Sequence, residues 1–242
     1  MTETASPNGT YVVPFGGETI PFALEMRQRR CLSISVHPDR RVTVLAPAGC
    51  SLADVLARVQ QRAVWITRQR VYFEQFHPLP HEKRYVSGET HLYLGRQYRL
   101  KIHSAAAESV KLTGCYLHVA TAHCHDALQV KRLLDDWYRN HAKDIFHARL
   151  MQCLDDAPSL CMPPPALSIR RMSRRWGSCT KAGNILLNLE LVKTPLYCIE
   201  YVIMHELCHL RIHNHSPGYY RLLSRCMPDW EKRKTRLDSY VL

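Results

Sequence analysis

From Cys31 to Val36, and again from Val42 to Leu45, apolar and polar residues alternate with the period of a strand that buries one face. His37, Pro38 and Asp39 between them predict a turn. The period then lengthens. Leu52, Val55, Leu56, Val59, Val64 and Trp65 recur at helical spacing behind Ser51 as N-cap, which predicts one helix to about Phe76, stopped by Pro78 and Pro80. Residues 85 to 120 return to short strands at Leu92 to Leu94, Tyr98 to Ile102, Val110 to Leu112 and Tyr116 to Val119, with Gly95 in the first turn.

Beyond Asp126 the pattern is helical once more: Leu128, Val130, Leu133, Leu134, Trp137, Tyr138, Ile145, Phe146 and Leu150 lie along one amphipathic helix. Pro163, Pro164 and Pro165 impose an extended segment after it. A hairpin is expected next, Leu167 to Met172 returning as Ile185 to Leu189 through a turn at Lys181 to Asn184. Thr194 followed by Pro195 has the form of an N-cap and first-turn proline and predicts the start of another helix. The fold class is therefore α+β. A β-rich region with one helix occupies 1–125, and a helical catalytic domain occupies 126–242, divided into a helical linker region 126–162 and a core 166–242. No internal repeat is visible.

Composition changes this picture little. With 242 residues, 46% of them hydrophobic and 22% charged, the chain has the material for one large domain or two small ones. No apolar run reaches the roughly 18 residues that cross a bilayer, and Met1 to Arg30 contains no signal-peptide core, so a soluble, cytoplasmic protein is expected. Ten cysteines without a CxxC pair read as reduced thiols. The formal charge of +12 favours polyanions in general, but clusters such as Arg27 to Arg30 read as solvated faces, and nucleic acid is not the favoured partner.

The chemistry lies in the helix expected after Thr194 and Pro195, which contains His205, Glu206, Leu207, Cys208 and His209. Histidines four residues apart project from one helix face, while Glu206 is rotated about 100° aside, where it can hold a metal-bound water. A chain of this length with 14 histidines would carry the HExxH pattern by accident about 0.04 times. A catalytic zinc needs a third protein ligand. His213 would extend the row along a straight helix, over about 12 Å of rise, too far to converge. His215 is preferred, because Asn214 suits a helix end and Ser216–Pro217 starts a new helix, turning the chain back. Cys208 points off the metal face, Cys179 has no assigned role, and His123, Cys124 and His125 read as a loop. Arg170, Arg171, Arg174 and Arg175 are candidates for a phosphate clamp or for a solvated strand face with one structural ion pair. Trp176 reads as a core residue or a stacking platform.

Together these motifs resemble the YgjP-like metal-dependent hydrolases, relatives of the SprT and WLM-type zincin peptidases. The resemblance rests on Arg175-Trp176-Gly177-Ser178-Cys179, on His205 to His209, on Asn214-His215-Ser216-Pro217 and on Pro228-Asp229-Trp230, with weaker likeness at Trp65-Ile66 and Leu94 to Tyr98. It implies a zincin-like catalytic domain with His205, His209 and His215 as metal ligands, Glu206 as general base, and an aromatic shortly after the third histidine, where Tyr219 and Tyr220 stand. The implied cofactor is Zn2+ or another divalent transition metal. Three functions follow as expectations: peptide hydrolysis; nucleoside triphosphate pyrophosphohydrolysis, with Arg174, Arg175 and Trp176 as substrate contacts; and a non-catalytic nucleic-acid-associated metal module. The last is disfavoured, since a structural zinc takes four closed ligands and needs no adjacent glutamate.

Overall fold

Gly16 and Gly17 take φ of 59° and 84°, the positive pair that a two-residue type I′ turn needs, and so join β1 (Asn8–Phe15) to β2 (Glu18–Arg27). The computed structural model describes residues 8–37, 39–74, 83–160, 162–173, 175–180 and 182–240. Pro38, the expected helix end and proline stop at 75–80, Arg174 and Lys181 lie outside them. Contacts divide the chain into two units, Met1–His81 and Glu82–Tyr240.

In the first unit β4 (Val42–Pro47) runs parallel to β2, and β3 (Ser33–Val36) pairs antiparallel with β4, giving the order β1-β2-β4-β3. The expected strands at 31–36 and 42–45 are present. The β1–β2 hairpin was not expected, because its sequence is broken by Gly and Pro. Ser51 caps α1 (Leu52–Gln61), its hydroxyl accepting from the Asp54 amide at 3.1 Å. The single expected helix is in fact two, with Arg62 leaving helical geometry before α2 (Ala63–Glu74). That break lets Val55 and Val59 of α1 and Ala63 and Ile66 of α2 share one core with Phe22, Leu24 and Val44.

The second unit opens with the same connectivity: β5 (Thr90–Tyr93), β6 (Arg96–Ser104), β7 (Ser109–Thr113) and β8 (Tyr116–Thr121) lie in the order β5-β6-β8-β7, again with a parallel central pair. The repeat is one of topology, carried by unlike residues. Asp126 caps α3 (Ala127–Asp156), accepting from the Leu128 amide at 2.9 Å. This helix has 30 residues, a length of roughly 45 Å. Its buried residues Val130, Leu134, Tyr138, Ala142, Phe146 and Leu150 join one core with Leu117 and Val119 of β8. The division expected at 125/126, where the period changes, lies within the unit Glu82–Tyr240.

A three-stranded sheet follows, and it is not the expected hairpin. β9 (Leu167–Arg170) pairs parallel with β11 (Ile185–Asn188), and the antiparallel partner of β11 is β10 (Gly177–Cys179), so the turn near 183 joins β10 to β11. The intervening loop is held by Arg171, which pairs with Asp135 at 2.9 Å and Glu190 at 3.1 Å, and by Asn188. Three helices complete the unit: α4 (Leu196–His209), α5 (Pro217–Cys226) and α6 (Trp230–Asp238). Among the described residues no helix is long and apolar enough to cross a membrane.

Candidate metal centre

α4 begins at Leu196, not on a Thr194 cap: the Thr194 hydroxyl turns back to donate to the Leu191 carbonyl at 2.9 Å, and Pro195 stands at the cap. The β5–β6 turn docks against this start. Leu94 and Gly95, at φ 48° and 78°, donate their amides to the carbonyls of Val192 and Lys193, both at 3.0 Å. A Cβ on Gly95 would lie 2.6 Å from Pro195 Cγ, so the turn admits only glycine there. From Cys198 to Cys208 α4 is apolar and buried almost all round, as befits a central helix. Glu200 ties it to its neighbours, accepting from Arg149 of α3 at 3.3 Å and from Arg233 of α6 at 2.7 Å.

At the C-terminal end of α4 His205 and His209 project from one face, and the chain turns through Asn214 so that His215 comes back to them before Ser216 and Pro217 open α5. The three Nε2 atoms form a triangle, 3.2 Å between His205 and His209, 3.1 Å between His209 and His215, and 3.3 Å between His205 and His215. Among the described residues this is the one cluster of three or more donors suited to a metal ion. Four-coordinate tetrahedral zinc with Zn–N near 2.05 Å sets its nitrogens about 3.3 Å apart, so the triangle has the size of a tetrahedral face.

Protonation favours the same conclusion. His209 Nδ1 lies 3.1 Å from the Ile212 carbonyl, a contact only an N–H can make, which leaves the Nε2 lone pair inward. Burial, reinforced by the other two histidines, lowers the pKa of His205 to about 3 and keeps its ring neutral. Burial likewise lowers His209. With His205 and His215 in the tautomer that His209 takes, three lone pairs converge at this range, and a cation among them relieves their repulsion, so the residues present fit a divalent ion. Tyr219 completes the frame: its buried ring stacks on His209 (centroids 4.5 Å, 23°), and its hydroxyl donates to the His205 carbonyl at 3.2 Å. Tyr220 is 41% exposed and stacks on Trp230 instead.

Glu206 sits beside the histidines, 5% exposed. Burial pushes its carboxyl up to about 7, with the Arg175 guanidinium pulling the other way. Strand β10 passes over it so closely that a Cβ on Gly177 would fall 2.6 Å from Glu206 Oε1 and 2.9 Å from Val202 Cγ1. The Cys179 thiol, raised by burial and then by Glu206, is not part of the histidine cluster. Cys208 is fully buried as a packing residue, and His213 is exposed and outside the cluster. Of the arginine candidates, Arg175 is exposed, Arg171 is committed to Asp135 and Glu190, and Arg174 lies outside the described residues. Trp176 is half-buried and packs on the core.

Two residues at this site had no role assigned in the sequence reading. Asn188, fully buried, donates to the carbonyls of Met172 (2.7 Å) and Arg175 (2.9 Å) and accepts from the amides of Met172 and Glu190 (both 3.2 Å), which fixes the loop leading into β10. Its signal was a lone polar residue inside the apolar run 185–189. The other is Gly177, whose need for space appears only once α4 lies beneath it.

Residues 30–240 match the model of a protein family described as YgjP-like, metallopeptidase domain. Comparison with curated proteins found no match. Among solved structures, the crystal structure of the metallopeptidase zymogen of Pyrococcus abyssi abylysin is similar at 21% sequence identity and a TM-score of 0.35, over 38% of this chain and 90% of that one.

Proposed function

We propose that this chain, which belongs to the YgjP-like metallopeptidase family, hydrolyses peptide bonds with a zinc ion held by His205, His209 and His215 and with Glu206 as general base. The observation that carries the reading is the convergence of three imidazole nitrogens within 3.1–3.3 Å beside a buried carboxylate. Three nitrogens with one position left over make a catalytic donor set, and zinc is the ion that suits it best.

Bound there, zinc supplies Lewis acidity toward a carbonyl oxygen and toward water. The protein does the rest. β10 is an edge strand of its sheet, so its outer amide and carbonyl groups can take up an extended peptide by main-chain hydrogen bonds. Gly177 lets β10 lie directly against Glu206, because a Cβ there would stand 2.6 Å from its Oε1. Glu206, with a pKa near the working pH, takes a proton from water as the oxygen adds to the peptide carbonyl carbon, and returns it to the departing amide nitrogen. Tyr219, neutral because burial raises its pKa, holds the His205 carbonyl and the His209 ring in place.

The test is Glu206→Gln, assayed by mass spectrometry on a peptide library with metal content measured in parallel. The variant should retain stoichiometric zinc and lose cleavage by about 10²-fold or more. Full-rate cleavage by it would remove Glu206 from the mechanism.

A further inference from the structure

The outward face of α5 differs in kind from the one that carries Tyr219 and Leu223 into the core. Arg221 and Arg225 stand one turn apart on it and, with Arg211, line a cavity of about 480 Å3 whose walls also include Ser159, Ile212 and Leu222. Arg211 is fixed in position, since its Nε donates to the Leu160 carbonyl at 2.8 Å and its Nη2 donates to the same oxygen. Elsewhere this unit pairs its arginines with acids where they build structure, as Arg149, Arg171 and Arg233 show. Among the described residues no carboxylate pairs with Arg221 or Arg225. Like charges at i and i+4 weaken a helix, a cost that a bound anion would reverse.

We infer that the cavity bounded by Arg211, Arg221 and Arg225 is a carboxylate-binding site that takes acidic side chains of a peptide. Guanidinium groups bind oxyanions through paired N–H donors, so the ligand carries carboxylate or phosphate oxygens. Two features favour a chain over a free ion. The walls include Ile212 and Leu222, which suit the aliphatic stem of a glutamate and offer nothing to inorganic phosphate. On its other side Arg211 also lines a second cavity, of about 500 Å3, walled by Pro163, Pro164, Pro165 and Leu210, so a ligand reaching Arg211 has room to continue.

The location ties this site to the metal centre. Ile212, whose carbonyl holds His209, lies between His209 and His215, and Gly218 of the cavity wall directly precedes Tyr219. Acidic residues of a substrate, away from the bond that is cut, would therefore dock on the segment that carries the third histidine. The inference rests on the peptidase reading for its choice of ligand, so its test reads binding apart from cleavage.

The probe is a fluorescein-labelled hexaglutamate peptide, titrated by anisotropy against zinc-loaded full-length Glu206→Gln protein. Arg221→Ala/Arg225→Ala in that background should weaken binding about tenfold or more, whereas Arg58→Ala/Arg62→Ala, in the other unit, should change it less than about twofold. Equal losses in both double variants would reduce the effect to net charge and overturn the site. Inorganic phosphate binding without hexaglutamate binding would overturn the carboxylate assignment, as would no binding by either. If hexaglutamate binds as expected while the unsubstituted protein cleaves no peptide, the peptidase reading fails and the site stands. Cleavage of peptides without hexaglutamate binding sinks the site alone.

Discussion

Gly177→Ala tests whether the carboxylate of Glu206 is held where β10 leaves it room. The added Cβ would stand 2.6 Å from Glu206 Oε1, 2.9 Å from Val202 Cγ1 and 3.0 Å from Glu206 Cγ. The carboxylate tip can swing aside, but Glu206 Cγ and the Val202 methyl belong to a helix packed on nearly every side and cannot yield so easily. Overpacking of this kind costs about 1–3 kcal/mol, and alanine regains about 0.4–1 kcal/mol by restricting the unfolded chain, so net destabilisation should be on the order of 1 kcal/mol. Activity should suffer more, because displacing a catalytic group by about 1 Å costs on the order of 10²-fold. The three histidines are untouched and zinc content should not change. Denaturant unfolding, kcat/KM on a cleaved peptide and metal analysis would be run side by side. A variant that loses about 1 kcal/mol of stability yet cleaves at the full rate would show that the position of Glu206 under β10 is not what catalysis needs.

Zinc at about 1,000 times its Kd should stabilise the metal-free protein by about 4 kcal/mol, and His215→Ala should lose most of that gain; an equal rise in Tm for both proteins would exclude His215 as a ligand. Asn188→Ala removes four hydrogen bonds from a buried position and should cost on the order of 3 kcal/mol in denaturant unfolding, so a loss below about 1 kcal/mol would mean the 172–176 loop is held by other contacts. Acid should destabilise the second unit through His91 and Glu89, which hydrogen-bond at 3.1 Å. Burial lowers the pKa of His91 below its usual 6.5 against the pull of Glu89, so its contribution is complete above pH 6.5 and is lost as pH falls below it. Burial alone would raise Glu89, but the amides of Arg84 and Tyr85 together with His91 outweigh it and hold the carboxyl below 4.5, giving stability that is lost at lower pH still. His91→Gln should flatten the stability profile just below pH 6.5, and an unchanged slope would remove His91 from that titration.

What could be read from the sequence was local. Ser51 caps its helix as expected because an N-cap needs only a side chain and an amide three residues on. His205 and His209 share a face because helix geometry alone puts them there, and His215 could be found because Asn214 and Ser216–Pro217 mark a reversal. One misreading was local, Thr194, whose hydroxyl turns back three residues to Leu191 instead of capping α4; the larger ones were long-range. The β9–β11 pairing is parallel because a loop clamped by Asn188 and Arg171 intervenes, and no short pattern encodes a clamp whose members are 16 to 36 residues from their partners. The helix after Ser51 breaks at Arg62 because two apolar faces must meet one sheet, a requirement that periodicity within either half does not express.

The orientation of His205 carries the same distinction into the metal centre. A ligating histidine usually donates its second nitrogen to a carboxylate or carbonyl, which fixes the ring. His209 does this through Ile212, but His205 Nδ1 is buried and, among the described residues, has no hydrogen-bond partner. Aromatic packing must therefore set that ring: Tyr201 lies edge-on at 5.9 Å and Tyr219 at 5.3 Å, and both are buried by the core. In the tautomer that turns the Nε2 lone pair inward, Nδ1 is an unmet donor that costs about 1–3 kcal/mol, a cost that a cation on Nε2 would offset. On the proposed reading a cation held jointly by the three nitrogens would do so, and the triangle would be a preformed metal site whose rings are set by packing at His205 and by a hydrogen bond at His209.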